Sequence, residues 1–236
     1  RSDETMKMNA GNLDNSALGT LSSRDGALKV DLNGVLNNSG AGALVSKSKL
    51  TVAAASLDNS NKGIVSSKDD AQLSLGGALN NSASGLIDSQ GALVVSAGAI
   101  NNHAGQIGSL KAANLTATSL DNSAGQLSSN AALSLSLSGN LTNTQNAKLA
   151  SAGPLLLKAA AIDNQGGSLI SQNLLSLTGS SLNNVGGTLA ARNGLSLLLT
   201  GALNNSADGL IHSQLGTLAI RAHSLNNQGG TLSSQQ

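Results

Sequence analysis

Phenylalanine, tyrosine, tryptophan and cysteine are all missing from this 236-residue chain, and proline occurs once, at Pro154. Without aromatics, the side chains that bury the most area in a compact core are unavailable, so an ordinary globular interior is excluded. Without cysteine there are neither disulfides nor thiolate metal sites. Charge is scarce too, at 11% of residues. The 13 Lys and Arg offset 12 Asp and Glu, which leaves no field to attract nucleic acid or an anionic membrane. The basic residues are scattered and have no aromatic neighbours on which bases could stack, so no nucleic-acid partner is expected. No apolar run approaches the roughly 20 residues a spanning helix needs. The polar, apolar-poor opening Arg1 to Ala10 does not read as a signal peptide.

What the chain has is a cadence. The tripeptide Leu/Ile-x-Asn occurs eleven times, with its asparagines at Asn15, Asn38, Asn59, Asn81, Asn102, Asn122, Asn143, Asn164, Asn184, Asn205 and Asn227. The steps between them are 23, 21, 22, 21, 20, 21, 21, 20, 21 and 22 residues. A period of this size marks a solenoid, in which each unit is stable only against its neighbours. Disorder is the competing reading of so much Ser, Asn, Ala and Gly. The regular Leu, Ile and Val positions and the low charge argue against it.

Aligned on the asparagine, each copy reads Leu-x-Asn, a loop of two or three residues, Gly-x-Leu/Ile-x-Ser, a short turn, then Leu-x-Leu. Leu120, Asn122, Gly125, Leu127, Ser129, Leu133 and Leu135 show it in full. Ser closes the second motif in ten of eleven copies, Ala191 being the exception. The glycine holds in nine of eleven, with Lys62 and Ala147 in its place. Every motif alternates with period two, the mark of a strand with one face inward. A helix would need apolar residues three to four apart over ten or more positions, and no segment offers that.

Three short strands per coil predict an all-β fold. It is a right-handed parallel β-helix, or β-solenoid, of about eleven coils of roughly 21 residues. Residues 1–236 read as a single β-helical repeat array, a fragment of a longer filament. At about 4.8 Å per parallel strand, ten intervals make a rod of roughly 48 Å. Asn and Gly supply the left-handed conformations of the corners. The eleven asparagines are expected to form a structural ladder along the stack. Pro154 falls between strand motifs, where a lost N–H does least harm. Met6-Lys7-Met8 resembles the Leu-x-Leu strand of a preceding coil, and Gln235 and Gln236 follow the last Leu-x-Ser. Strand edges at both ends suggest end-to-end self-association.

No convergent chemistry is legible. Asp14, Asp58, Asp121 and Asp163 occupy the outward x of Leu-x-Asn and read as solvated corners, since Asn fills that place in other copies. Asp69-Asp70 reads as a turn pair. His103, His212 and His223 are too few and dispersed for a metal set. Calcium-binding nonapeptide repeats need Asp ligands that Gly166-Gly167, Gly186-Gly187 and Gly229-Gly230 lack, and the Leu order of leucine-rich repeats does not fit. Catalytic, cofactor and metal residues are expected to be absent.

Leu120-Asp121-Asn122-Ser123-Ala124-Gly125-Gln126-Leu127-Ser128-Ser129 and Leu225-Asn226-Asn227-Gln228-Gly229-Gly230-Thr231-Leu232 resemble the filamentous-haemagglutinin repeat of large Gram-negative exoproteins. That group includes the haemagglutinin adhesins and the CdiA toxins of contact-dependent growth inhibition. The resemblance implies a right-handed β-helical filament, secreted to the cell surface through a dedicated outer-membrane two-partner-secretion transporter. It also implies a non-enzymatic stalk that presents a toxin or adhesive tip. The alternative is an adhesin segment whose own outer face meets a target-cell receptor.

Overall fold

The computed structural model describes residues Arg1–Gln235, so Gln236 lies outside the described residues. The described residues are all-β, with 33 short strands. It divides into two compact units, Arg1–Thr118 and Ser119–Gln236, each a β-solenoid built on three parallel sheets.

In the first unit the long strands Met6–Ala10, Leu28–Leu32, Leu50–Ala54, Ala71–Leu75, Leu93–Ser96 and Ala113–Ala117 stack in that order. A second sheet takes the Leu-x segments: Leu13–Asp14, Val35–Asn37, Ser56–Asp58, Leu79–Asn80 and Ala99–Asn101. The third takes the Leu-x-Ser segments: Thr20–Ser23, Ala43–Ser46, Ile64–Ser67, Leu86–Ser89 and Gln106–Ser109. Each strand pairs with its counterpart one coil away, so sequence repeat becomes spatial register. Met8, Val30, Val52, Leu73, Val95 and Leu115 are aligned along one inward row. Alternation decides which residues face in: Leu28, Val30 and Leu32 are buried while Lys29 and Asp31 are exposed.

The second unit repeats the plan with Ser119–Asp121, Gln126–Ser129 and Leu133–Leu137 opening its three sheets. Its long strands offer up to three inward positions, as at Leu133, Leu135 and Leu137 or Leu195, Leu197 and Leu199. The interior is therefore layered aliphatic side chains, at about 25 cal/mol per Å² of apolar surface removed from water. Pro154 sits in the turn before Leu155–Lys158, where its carbonyl accepts from Leu133 N at 2.9 Å.

The structure corrects the reading of the third copy. Its strand Ile64–Ser67 pairs Val65 with Leu44 and Ile87, and Ser67 with Ser46 and Ser89. Gly63, not Lys62, therefore fills the glycine slot, and Lys62 lies in the loop with φ 68°. The doublets Ile64-Val65 and Ser66-Ser67 satisfy either register by pattern alone. A one-residue slip would send Val65 and Ser67 out to solvent.

The left-handed corner positions also differ from expectation. Among thirteen non-glycine residues with positive φ only Asn61 and Asn146 are asparagine, whereas Ala17, Ala41, Ala83, Ala104, Ala124 and Ala207 are alanine. Such a conformation costs an L-residue about 1–2 kcal/mol. Hydrogen bonds to the next coil hold most of these residues in it, for instance Ala83 N to His103 O at 3.0 Å and Ser84 N to Ala104 O at 2.9 Å.

Candidate functional site: the asparagine corner

The corner between the Leu-x strand and the Leu-x-Ser strand holds a chain of side-chain-to-side-chain hydrogen bonds that recurs coil after coil in each unit. Period-two alternation turns the asparagine of Leu-x-Asn inward. Asn38, Asn59, Asn81, Asn102, Asn122, Asn143, Asn164, Asn184 and Asn205 are wholly buried, Asn15 nearly so, and Asn227 half-buried. In the first unit Nδ2 of Asn15, Asn38, Asn59 and Asn81 donates in turn to Oδ1 of Asn38, Asn59, Asn81 and Asn102, at 2.7–2.8 Å. In the second unit the chain runs Asn122, Asn143, Asn164, Asn184, Asn205, Asn227, again at 2.7–2.8 Å.

Every bond in this chain points the same way, from one coil to the next. The direction is fixed by surrounding acceptors. Nδ2 of Asn59 also donates to the carbonyls of Gly63 and Leu86, both at 3.1 Å. A flipped amide would set its oxygen against those carbonyls. Each interior asparagine thus donates forward and accepts from behind, and aligned amides polarise one another.

The glycine that follows is required by space, not by φ. A Cβ on Gly63 would lie 2.5 Å from Asn38 O and 2.6 Å from both Asn59 O and Asn59 Oδ1. Ala147 is the one residue with a side chain in this slot, and there the pattern changes. Asn143 donates to Asn164 Oδ1 and Ser168 O, but not to the carbonyl of its own slot residue.

The outward x position does more than face solvent. Its side-chain oxygen accepts the backbone N–H two residues on, at Asp14, Asn37, Asp58, Asn80, Asn101, Asp121, Asp163, Asn183, Asn204 and Asn226. These are Asx turns, which close the corner just outside the ladder. Hydrogen bonds from the Ser16 side chain and backbone hold the exposed Asp14 carboxyl below the usual carboxylate range. The restriction of x to Asp or Asn in ten of eleven copies, with Thr142 departing, was the signal in the sequence.

The second polar corner carries the serines. Ser46, Ser89 and Ser171 are buried, and the single proton of each hydroxyl has two carbonyl acceptors within reach, one of its own turn and one of the preceding turn. Ser213 is buried with no partner for its hydroxyl.

The remaining polar residues do not converge. Asp69 Oδ2 accepts from Ser48 Oγ at 3.0 Å, and Asp70 Oδ1 from Ala92 N at 2.8 Å, each bracing a turn. His212 Nδ1 lies 2.8 Å from Ser233 Oγ, the His103 backbone N–H donates to Asn101, and the His223 backbone N–H donates to Gly201. Among the described residues no three His, Asp or Glu side chains gather where a metal could sit.

The haemagglutinin-repeat family matches the chain over residues 8–83, 76–145, 123–207 and 198–236, and the chain belongs to that family. No curated protein and no solved structure matches it.

Proposed function

We propose that this chain is a length of structural stalk from a secreted or surface-exposed bacterial exoprotein, holding a toxin or adhesive tip away from the cell. Residues 1–236 act in this reading as one repeat array, with the eleven ladder asparagines as its structural residues and no catalytic role. The observation that carries it is what the coils keep constant. Along the first unit the inward row is Met8, Val30, Val52, Leu73, Val95 and Leu115, while the adjoining outward row is Lys7, Lys29, Thr51, Gln72, Val94 and Asn114. Residues that touch the next coil are held to type. Residues that touch the outside vary freely, as a spacer allows.

Family membership supports export through a two-partner-secretion transporter of a Gram-negative outer membrane. The CdiA-type toxin stalk is the particular version favoured here. A second reading, an adhesive shaft, draws on a shallow groove in the second unit lined by Asn140, Thr142, Asp163, Ser181, Asn183 and Asn204. A target-cell receptor would be its partner. Self-association of the fragment is a further proposal, tested by whether sedimentation changes with concentration.

Saturable binding of the 236-residue fragment to intact candidate target cells separates the two readings, with a variant scrambled at outward positions as control. A spacer shows no specific binding. Binding lost in the scrambled variant would replace the stalk reading with the adhesive one. Removal of one whole coil, Leu120 to Asn140, leaves a spacer folded.

A further inference from the structure

One corner of the second unit departs from the others in several independent ways. Its x residue is Thr142, so the Asx turn found at the other ten corners is missing, and Thr144 N–H has no protein acceptor. Its slot residue is Ala147, and Asn143 lacks the bond to its own coil that Asn122 makes to Gly125 O at 3.4 Å and Asn164 to Gly167 O at 3.2 Å. Its two left-handed residues are Gln145 (φ 58°) and Asn146 (φ 59°). At the comparable corners both such N–H groups reach the next coil: Ala83 and Ser84, Asn61 and Lys62, Ala207 and Asp208. Here Asn146 N reaches Gly166 O at 3.2 Å, but Gln145 N has no protein acceptor.

The corner 141–147 thus forgoes three hydrogen bonds its counterparts make, and it holds two non-glycine residues in a conformation that those bonds stabilise elsewhere. The neighbouring coils stay intact: Leu141 and Leu149 are buried, and Asn143 keeps its ladder bond to Asn164 at 2.7 Å. Weakness is therefore confined to the loop and does not extend into the aliphatic layers.

We propose that this corner is a built-in yielding point, the place where the asparagine chain of the second unit opens first while the coils on either side remain folded. Opening at Asn143 breaks its ladder bonds with Asn122 and Asn164 together, so the chain of amides parts there into two shorter ones. The inference stands whether or not the chain serves as a stalk.

Native-state hydrogen exchange on the full chain tests it through amides that are hydrogen-bonded in the closed state. Asn143 N, bonded to Asp163 O, and Ala147 N, bonded to Thr144 O, are compared with Asn184 N and Gly187 N, and with Asn205 N and Gly209 N. The expected result is protection roughly ten-fold lower at Asn143 and Ala147 than at the other two pairs. The double variant Thr142→Asn, Ala147→Gly, which restores the cap and empties the slot, should raise protection at Asn143 and Ala147 selectively. Equal protection at all three corners, or a repair variant that leaves Asn143 and Ala147 unchanged, would overturn the proposal.

Discussion

The two polar corners of each coil solve the same problem by opposite means. Both bring buried polar side chains into an aliphatic stack, and both must satisfy them. At the serine corner the solution is local: each hydroxyl is served by a carbonyl of its own turn or the one before, as Ser171 is by Leu174 and Gly153. At the asparagine corner the solution is collective, because each amide is acceptor to one neighbour and donor to the next. Loss of one serine releases mainly backbone groups of the adjoining turns, such as the Gly153 carbonyl and the Asn173 N–H beside Ser171. Loss of one asparagine leaves an orphan on each side. This difference explains why Ala191 interrupts the serine series while all eleven asparagines are present. A buried orphan costs about 1–3 kcal/mol.

The sharpest way to break the chain is Asn164→Asp. It keeps the acceptor facing Asn143 but puts a second oxygen against Asn184 Oδ1, Gly167 O and Thr188 O. An unpaired buried charge of this kind costs about 3–5 kcal/mol, read as a lower urea midpoint. Burial among acceptors raises the folded-state pKa of the new carboxyl above its unfolded value of about 4. The destabilisation is then largest above the folded pKa and recedes as pH falls toward about 4, because the protonated acid can again donate. Urea midpoints at two pH values check this sign.

Ser171→Ala should cost much less, about 1 kcal/mol, because no side chain depends on it. Ser213→Ala should go the other way. It removes a hydroxyl that is buried without a partner, and the urea midpoint should rise by the equivalent of about 1 kcal/mol. The smallest effect belongs to the exposed cap Asp14, whose carboxyl is held below its ordinary range by Ser16. Its contribution is complete above the unfolded pKa and fades as pH falls through the folded one. The Asp14→Ala variant should therefore differ from wild type slightly at neutral pH and still less in acid. An NMR titration of the carboxyl checks the direction.

The fold class was legible because each coil repeats one alternation, and parallel stacking turns a sequence period directly into spatial register. Four features were not legible. The register of the third coil was hidden because Ile64-Val65 and Ser66-Ser67 are doublets, and only pairing of Val65 with Leu44 decides between two equal patterns. The glycine of Gly-x-Leu looked like a conformational requirement. It is a steric one, imposed by asparagine oxygens on two coils that a linear reading cannot bring together. Alanine at the left-handed positions was invisible because its stabilising partners are carbonyls some 20 residues away, such as His103 O for Ala83. The x residues were seen as outward-facing. Their capping role needed only the observation that ten of the eleven are Asp or Asn, whose side-chain oxygens both accept a hydrogen bond. The direction of the amide chain, by contrast, lies in no sequence pattern at all.

The contrast between a collective and a local corner is tested most directly by two double-mutant cycles, measured by urea unfolding. One pairs Asn164→Ala with Asn184→Ala, and the other pairs Ser46→Ala with Ser67→Ala, neighbours in register whose hydroxyls share no acceptor. A coupling of at least about 1 kcal/mol is expected for the asparagines, since the second removal finds its neighbour already orphaned, and additivity within about 0.5 kcal/mol for the serines. Additive asparagines would contradict it, and show that each amide is held by its own backbone carbonyls and not by the chain.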